Sequence, residues 1–399
     1  MKKQLFYLFV AVFFSVFLQG CGLAGAYIWF GDRELNYYNV ARANGDAEKM
    51  KKSLTRALDY YNSSLTYDDK RYPDVYIKLA DTDYRINSNH QTSIGWLERG
   101  LKIAPENGDI HAALGRYTFL KAIHESMVTD RSGRTRAATS SELRKVLDEA
   151  KGHYKDALLR DSLSPVYNAG LARVFFYEIE QNTLEGRGSR NDFLFSQVND
   201  LLEAGKSKNP DHPAIVKAEG IRNFLQGNYD DAIRNLADFA QDSDDEEQLQ
   251  AAYYLTRSYI ETNKYQEALA LANRVLEKKP DDVRFIGERI IAYFRMGQGA
   301  LATSDLERMD TITDQYHEFY YRLGLLYHQQ NVPVRADLYL LRAYRIDDKN
   351  PSYAFALGQN SLLKKDPVQA RNFFRRAQQL ALPGSKLEEE ARHALSRLQ

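Results

Sequence analysis

The sequence predicts an all-α solenoid of about nine helical hairpins closed by a C-terminal capping helix, and three observations predict it. Ala268, Ala302, Ala336 and Ala370 follow one another at a constant 34-residue step. Around them each unit shows two stretches of about 12 residues with apolar spacing of three and four, divided by a short polar break. Thr262-Asn263-Lys264 and Gln226-Gly227-Asn228 are two such breaks. Pro105, Pro210 and Pro280 fall where one unit ends and the next begins, because proline lacks an amide donor and clashes with the preceding turn. A single hairpin cannot bury its apolar face, so neighbouring units must stack.

The first element is a leader. Lys2 and Lys3 precede a strongly apolar run from Leu5 to Leu18, the basic-then-apolar order of a secretory signal. Leu18-Gln19-Gly20-Cys21 resembles the bacterial lipobox, with Leu three before the cysteine and a small residue just before it; Gln19 departs from the usual occupant. That resemblance implies cleavage after residue 20 and a lipidated Cys21 (diacylglycerol, with palmitate or a similar acyl chain), followed by a tether over 21–33. Gly22 after the cysteine implies, by resemblance to enterobacterial sorting, the outer membrane facing the periplasm. The alternative is an uncleaved inner-membrane signal anchor. Leu5 to Phe30 holds few polar residues, and 26 helical residues at about 1.5 Å each could span a hydrocarbon core of about 30 Å. Both put everything after Phe30 outside the cytoplasm and tethered to a membrane.

Repeats follow in order. Residues 34–212 carry weak marks, with a degenerate first unit from about Glu34 and later ones at Leu79-Ala80, Gly115 with Ala157, and Gly170 with Gly205. Two of these units are overlong, through insertions at about 124–146 and 182–192. The inserts bring Arg131, Arg134, Arg136, Arg187 and Arg190 into an otherwise neutral chain. They form either a basic patch for an anionic partner or two solvated loops. Residues 213–384 are the regular array. Leu323-Gly324 and Leu357-Gly358 precede the period alanines; Ala272, Leu306, Leu340 and Phe374 follow them by four residues. Small residues at Gly220, Gly324 and Gly358 mark close helix crossings. Leu387, Ala391 and Leu395, within 385–399, have the spacing of a capping helix. The frame of Leu-Gly, Tyr, Ala, a large apolar residue, Ala and Pro over 34 positions resembles the tetratricopeptide repeat, so the chain is identified as a member of that family.

Composition narrows the function. The 399 residues hold 54 Lys+Arg against 54 Asp+Glu, which argues against a nucleic-acid binder. Removing residues 1–20 takes away Lys2 and Lys3 and no acid, leaving the mature chain at a net charge of −2. With 44% apolar residues the chain can fold, and with a single cysteine it can form neither an internal disulfide nor a Cys-rich zinc site. The eight histidines show no pair at four-residue spacing and no HExxH, so no metal is expected, and His153 reads as a packing or surface side chain. No nucleotide loop or nucleophile elbow occurs. Hence no catalytic residue, cofactor or enzyme activity is expected. The acidic run from Asp242 to Glu247 suits the start of a helix near Gln248, or else a cation or basic partner.

In tetratricopeptide arrays the first helices line a concave groove for a peptide or helix. The resemblance implies groove positions at Tyr167, Lys217, Tyr253, Arg257, Arg284, Tyr321, Phe355 and Gln359, and Tyr and Arg are common binding anchors. The family's carboxylate clamp is absent, since Ile221 stands four residues after Lys217. The expected function is a membrane-anchored scaffold or adaptor for a protein partner in envelope assembly, secretion, or polysaccharide or pilus machinery, with homo-oligomers possible. The alternative is a cell-envelope enzyme acting on peptidoglycan or polysaccharide through two carboxylates across one groove.

Overall fold

The computed structural model describes the backbone of residues 2–68, 70–124, 127–129, 135–137, 140–240, 246–313 and 316–398, with side chains in these ranges except at 2–21 and 124–142. The side chains of residues 2–20 and of Cys21, where the lipidation was expected, and those of Arg131, Arg134 and Arg136, therefore lie outside the described residues. Among the described residues the chain is an all-α solenoid of nineteen helices, sixteen of them packed as eight successive pairs. Two three-residue strands, β1 (Met127–Thr129) and β2 (Thr135–Ala137), are the one departure from helix in this region. The chain divides into two compact units, one of Met1–Arg134 with Ala138–Leu171, the other of Thr135–Ala137 with Ala172–Gln399.

In the first unit, α1 (Lys2–Ala43) breaks at Gly22, where φ is 68° and ψ 177°. The stretch after the break packs on α2 (Ala47–Leu65), which begins where Asp46 accepts a hydrogen bond from the Lys49 amide at 3.0 Å. Then come α3 (Val75–Asn87), α4 (His90–Ile103), α5 (Gly108–His124) and α6 (Ser140–Leu158). Asn89 caps α4 through the amides of Gln91 and Thr92. Tyr61, Val75, Tyr76 and Leu79 form one core, and Leu97, Ile110, Leu114 and Tyr117 the next. Among the residues searched, no helix is long and apolar enough to cross a membrane.

The second unit starts within α7 (Pro165–Leu184) and continues through α8 (Asn191–Lys208), α9 (Pro213–Leu225), α10 (Tyr229–Leu236), α11 (Glu246–Glu261) and α12 (Tyr265–Lys278). It ends with α13 (Val283–Arg295), α14 (Gly299–Ile312), α15 (His317–Gln329), α16 (Pro333–Ile346), α17 (Pro351–Leu363), α18 (Pro367–Leu380) and α19 (Lys386–Ser396). The four period alanines are buried, one each in α12, α14, α16 and α18. A second feature keeps the same step. Asn263, Gly297, Asn331 and Lys365, each in the turn between paired helices, are left-handed with φ of 60°, 74°, 57° and 59°. Pro213, Pro333, Pro351 and Pro367 open helices where a missing amide costs nothing. Asn350, Asp366 and Ser385 cap α17, α18 and α19.

The insertion at 182–192 goes partly into helix. α7 has 20 residues and α8 has 18, against 13 and 14 in the pairs α13/α14, α15/α16 and α17/α18. The loop after α7 is anchored: at Gly186, with φ 66°, an added β-carbon would overlap the Leu387 side chain of α19.

Candidate functional groove

The first helices of the second unit carry charged and aromatic side chains that meet one another. Glu247, the second residue of α11, accepts from Arg173 of α7 at 2.9 Å and from Lys217 of α9 at 3.0 Å. Its neighbour Glu246 accepts from Arg284 of α13 at 2.6 Å, and the same guanidinium grips both oxygens of Asp282. The acidic run thus ends in the carboxylates that tie three first helices to α11. One step further along, Glu288 of α13 holds Arg322 of α15 through two hydrogen bonds, at a sequence separation of 34. Paired, hydrogen-bonded charges of this kind fix register, because any slip would strand a buried charge.

α7 closes this arrangement. Glu180 accepts from Tyr254 at 2.6 Å through one oxygen and from Arg257 at 2.9 Å through the other. Burial pushes the Glu180 carboxyl above its ordinary range while Arg257 pulls it the other way, and Glu318 of α15 adds a like charge nearby. The Arg257 guanidinium also lies 4.7 Å from the centre of the Phe224 ring and 5.3 Å from that of Tyr253. Burial raises the Tyr253, Tyr254 and Tyr316 hydroxyls well above the usual phenol value, so they remain protonated donors. Between Arg173 and Gly186, α7 and its loop therefore touch α11 and α19 in turn.

The eight expected groove residues fall into three groups. Lys217, Tyr253, Arg257 and Arg284 come together on α9, α11 and α13, but their polar groups already hold partners within the chain or lie in its aromatic packing. Tyr321, Phe355 and Gln359 stand on α15 and α17. The Tyr321 ring lies 4.7 Å from that of Tyr353 at a tilt of 39°, and burial pushes its hydroxyl up to about 12. Phe355 is half-buried against Phe374, and Gln359 is exposed. Tyr167 belongs to the first unit, where it is buried and donates to Asp109 at 2.7 Å. Of the insert cations described, Arg187 pairs with Glu185 at 2.8 Å and Arg190 is exposed.

Sequence reasoning missed Glu180, Glu288 and Arg322, and it placed Glu247 in the acidic run at the start of a helix without finding Arg173 and Lys217 as its partners. The 34-residue interval between Glu288 and Arg322 was a signal for that pair, since it puts opposite charges at one register position of adjacent repeats. Among the described residues, one group has metal-ligating side chains drawn together, namely His111, His153 and Asp156 of the first unit.

Comparison with known proteins agrees with the repeat geometry. Residues 223–286, from the end of α9 into α13, match the tetratricopeptide repeat family. No curated protein matches the sequence. Among solved structures, a human IFIT1 dimer with PPP-AAAA is similar at 13% identity and a TM-score of 0.49, over 89% of this chain and 94% of that one. Yeast Tom70 gives 13% identity and 0.43 over 91% and 95%. A tetratricopeptide repeat protein from Parabacteroides merdae gives 16% and 0.42 over 73% and 99%. Residues 223–286 thus carry the tetratricopeptide repeat match, and the buried alanines and left-handed turns continue its 34-residue step through α18.

Proposed function

We propose that the chain is a membrane-tethered scaffold that captures a protein partner in the cell envelope. The observation that carries this is the state of the first-helix face. Lys217, Arg257, Arg284 and Arg322 are committed to carboxylates of the chain itself, which holds the helices in fixed register. Exposed Gln359 and the open part of half-buried Phe355, one turn apart on α17, are left as the contact points of a preorganised surface. A partner helix or extended peptide would lie along α15 and α17, with Tyr321 at its edge. The leader and Cys21 support a lipid tether, which raises the effective concentration of a partner on the same membrane. Assembly, secretion, and polysaccharide or pilus machinery are the processes that use such adaptors.

A photo-reactive residue at Gln359 should crosslink a discrete protein in envelope fractions, while the same probe at exposed Glu48 of α2 should not. Equal capture at both positions would defeat the assignment of the face. For the tether, the mass of the membrane-extracted protein should show loss of residues 1–20 plus acyl groups; an intact leader would make it a signal anchor instead.

One observation favours the envelope-enzyme alternative, the like charge of Glu318 near Glu180. Both Glu180 oxygens are engaged, by Tyr254 and Arg257, as in a structural bridge. Hydrolysis of peptidoglycan or polysaccharide lost on Glu318→Gln would establish the enzyme and displace the scaffold.

A further inference from the structure

The first unit contains a side-chain cluster that the scaffold role does not use. His111 lies in the second turn of α5, and His153 and Asp156 stand three residues apart on one face of α6. The two helices approach closely beside it: a β-carbon on Gly115 would lie 2.8 Å from the Tyr154 ring. Ligand atoms of all three residues lie within 4.8 Å of one another.

The protonation of His111 gives the cluster its chemistry. Its Nε2 is 2.9 Å from the Pro105 carbonyl. A carbonyl only accepts, so Nε2 carries the proton and donates, and Nδ1 is left with a lone pair. That Nδ1 is buried, in a residue only 8% exposed, and has no hydrogen-bond partner among the described residues. It looks toward a carboxylate oxygen of Asp156 at 3.9 Å. Two electron-rich atoms facing each other, one of them on a buried ring, are unfavourable unless a cation stands between them. A second proton would serve that purpose, but it needs no third donor; His153 supplies one on the same side. The backbone carbonyl on the far nitrogen of His111 is the arrangement that orients metal-bound histidines.

We infer that His111 Nδ1, His153 and Asp156 form a binding site for a divalent transition metal of the zinc class. Two imidazoles and one carboxylate suit zinc, with a water completing four-coordination. Bonds of about 2.0–2.1 Å put tetrahedral ligands about 3.3 Å apart, so Asp156 must close by about 0.6 Å from its 3.9 Å separation, and the ligand atoms, now within 4.8 Å of one another, must draw together around the ion. Its side chain is half exposed and free to do so. Such a site between α5 and α6 is a clamp across the hairpin that carries the longer insertion.

The test is zinc binding by the full chain in detergent, measured by competition with a chromophoric chelator. One equivalent should bind, and His153→Ala and Asp156→Asn should each weaken it at least tenfold, with melting of the metal-free proteins unchanged. His393→Ala, in α19, should bind as the wild type does. Cobalt in place of zinc should give the visible absorption of a four- or five-coordinate ion, lost in His153→Ala. Absence of saturable zinc binding to the wild type, or equal affinity in His153→Ala and Asp156→Asn, would overturn the site and leave a proton as the bridge.

Discussion

The ring of Phe374 on α18 occupies the place where a β-carbon of Gly358 on α17 would stand, with its Cδ1 only 2.6 Å from that position. Leu340 faces Gly324 in the same way one repeat earlier, at 2.7 Å, and Leu236 faces Gly220 at 2.6 Å. In all three hairpins the glycine precedes its large partner by 16 residues. Gly358→Ala should therefore cost about 1–3 kcal/mol through overpacking. The check is the urea midpoint of the second unit's transition, and Gly358→Ala with Phe374→Leu should recover part of the loss.

The turn residues make opposite predictions at two positions of one period. Gly297 has φ 74° and open space around it, so Gly297→Ala meets no clash and suffers only the left-handed backbone. A loss of about 1 kcal/mol is expected. Lys365 already bears that strain, with φ 59°, and Lys365→Gly should gain up to about 1 kcal/mol. Chemical denaturation of the two variants side by side measures both signs.

Glu288 is almost fully buried under Arg322. Removing the carboxylate with Glu288→Ala leaves a buried guanidinium without its main partner, and a loss of about 3–5 kcal/mol is expected. Glu288→Met with Arg322→Met removes both charges and should cost far less than the sum of the two single changes. A double-mutant cycle reads the coupling directly.

Acid should weaken the fold through two histidines. Burial lowers the ionisation of His153 and of His317, and His317 Nδ1 lies 2.7 Å from the Tyr353 hydroxyl. Each therefore binds its proton more readily in the unfolded chain, whose histidines titrate near about 6.5. The stabilisation is complete above that value and is lost as pH falls through it, so stability rises with pH in this window. Unfolding midpoints should drop between pH 7.5 and 5.5, and His317→Asn should reduce the slope.

Much of the fold was legible because a repeat writes its packing into a fixed interval. Ala268, Ala302, Ala336 and Ala370 are buried where the step places them, and Gly324 and Gly358 sit at the close crossings. The site was less legible. Arg257 and Arg284 were identified as groove residues, but their partners Glu180 and Glu246 lie 77 and 38 residues away, intervals set by the lengthened α7 and α8 and by the run before α11. No constant step reveals such pairs. His111 and His153 escaped for the same reason: the insertion between α5 and α6 separates them by 42 residues, and only the folded hairpin brings them together.

The scaffold account is tested most directly by the affinity of the protein that crosslinks at Gln359. Phe355→Ala with Gln359→Ala should weaken its binding at least tenfold while the melting transition stays within a few degrees of the wild type. Unchanged affinity in that double variant would contradict capture on the α15–α17 face.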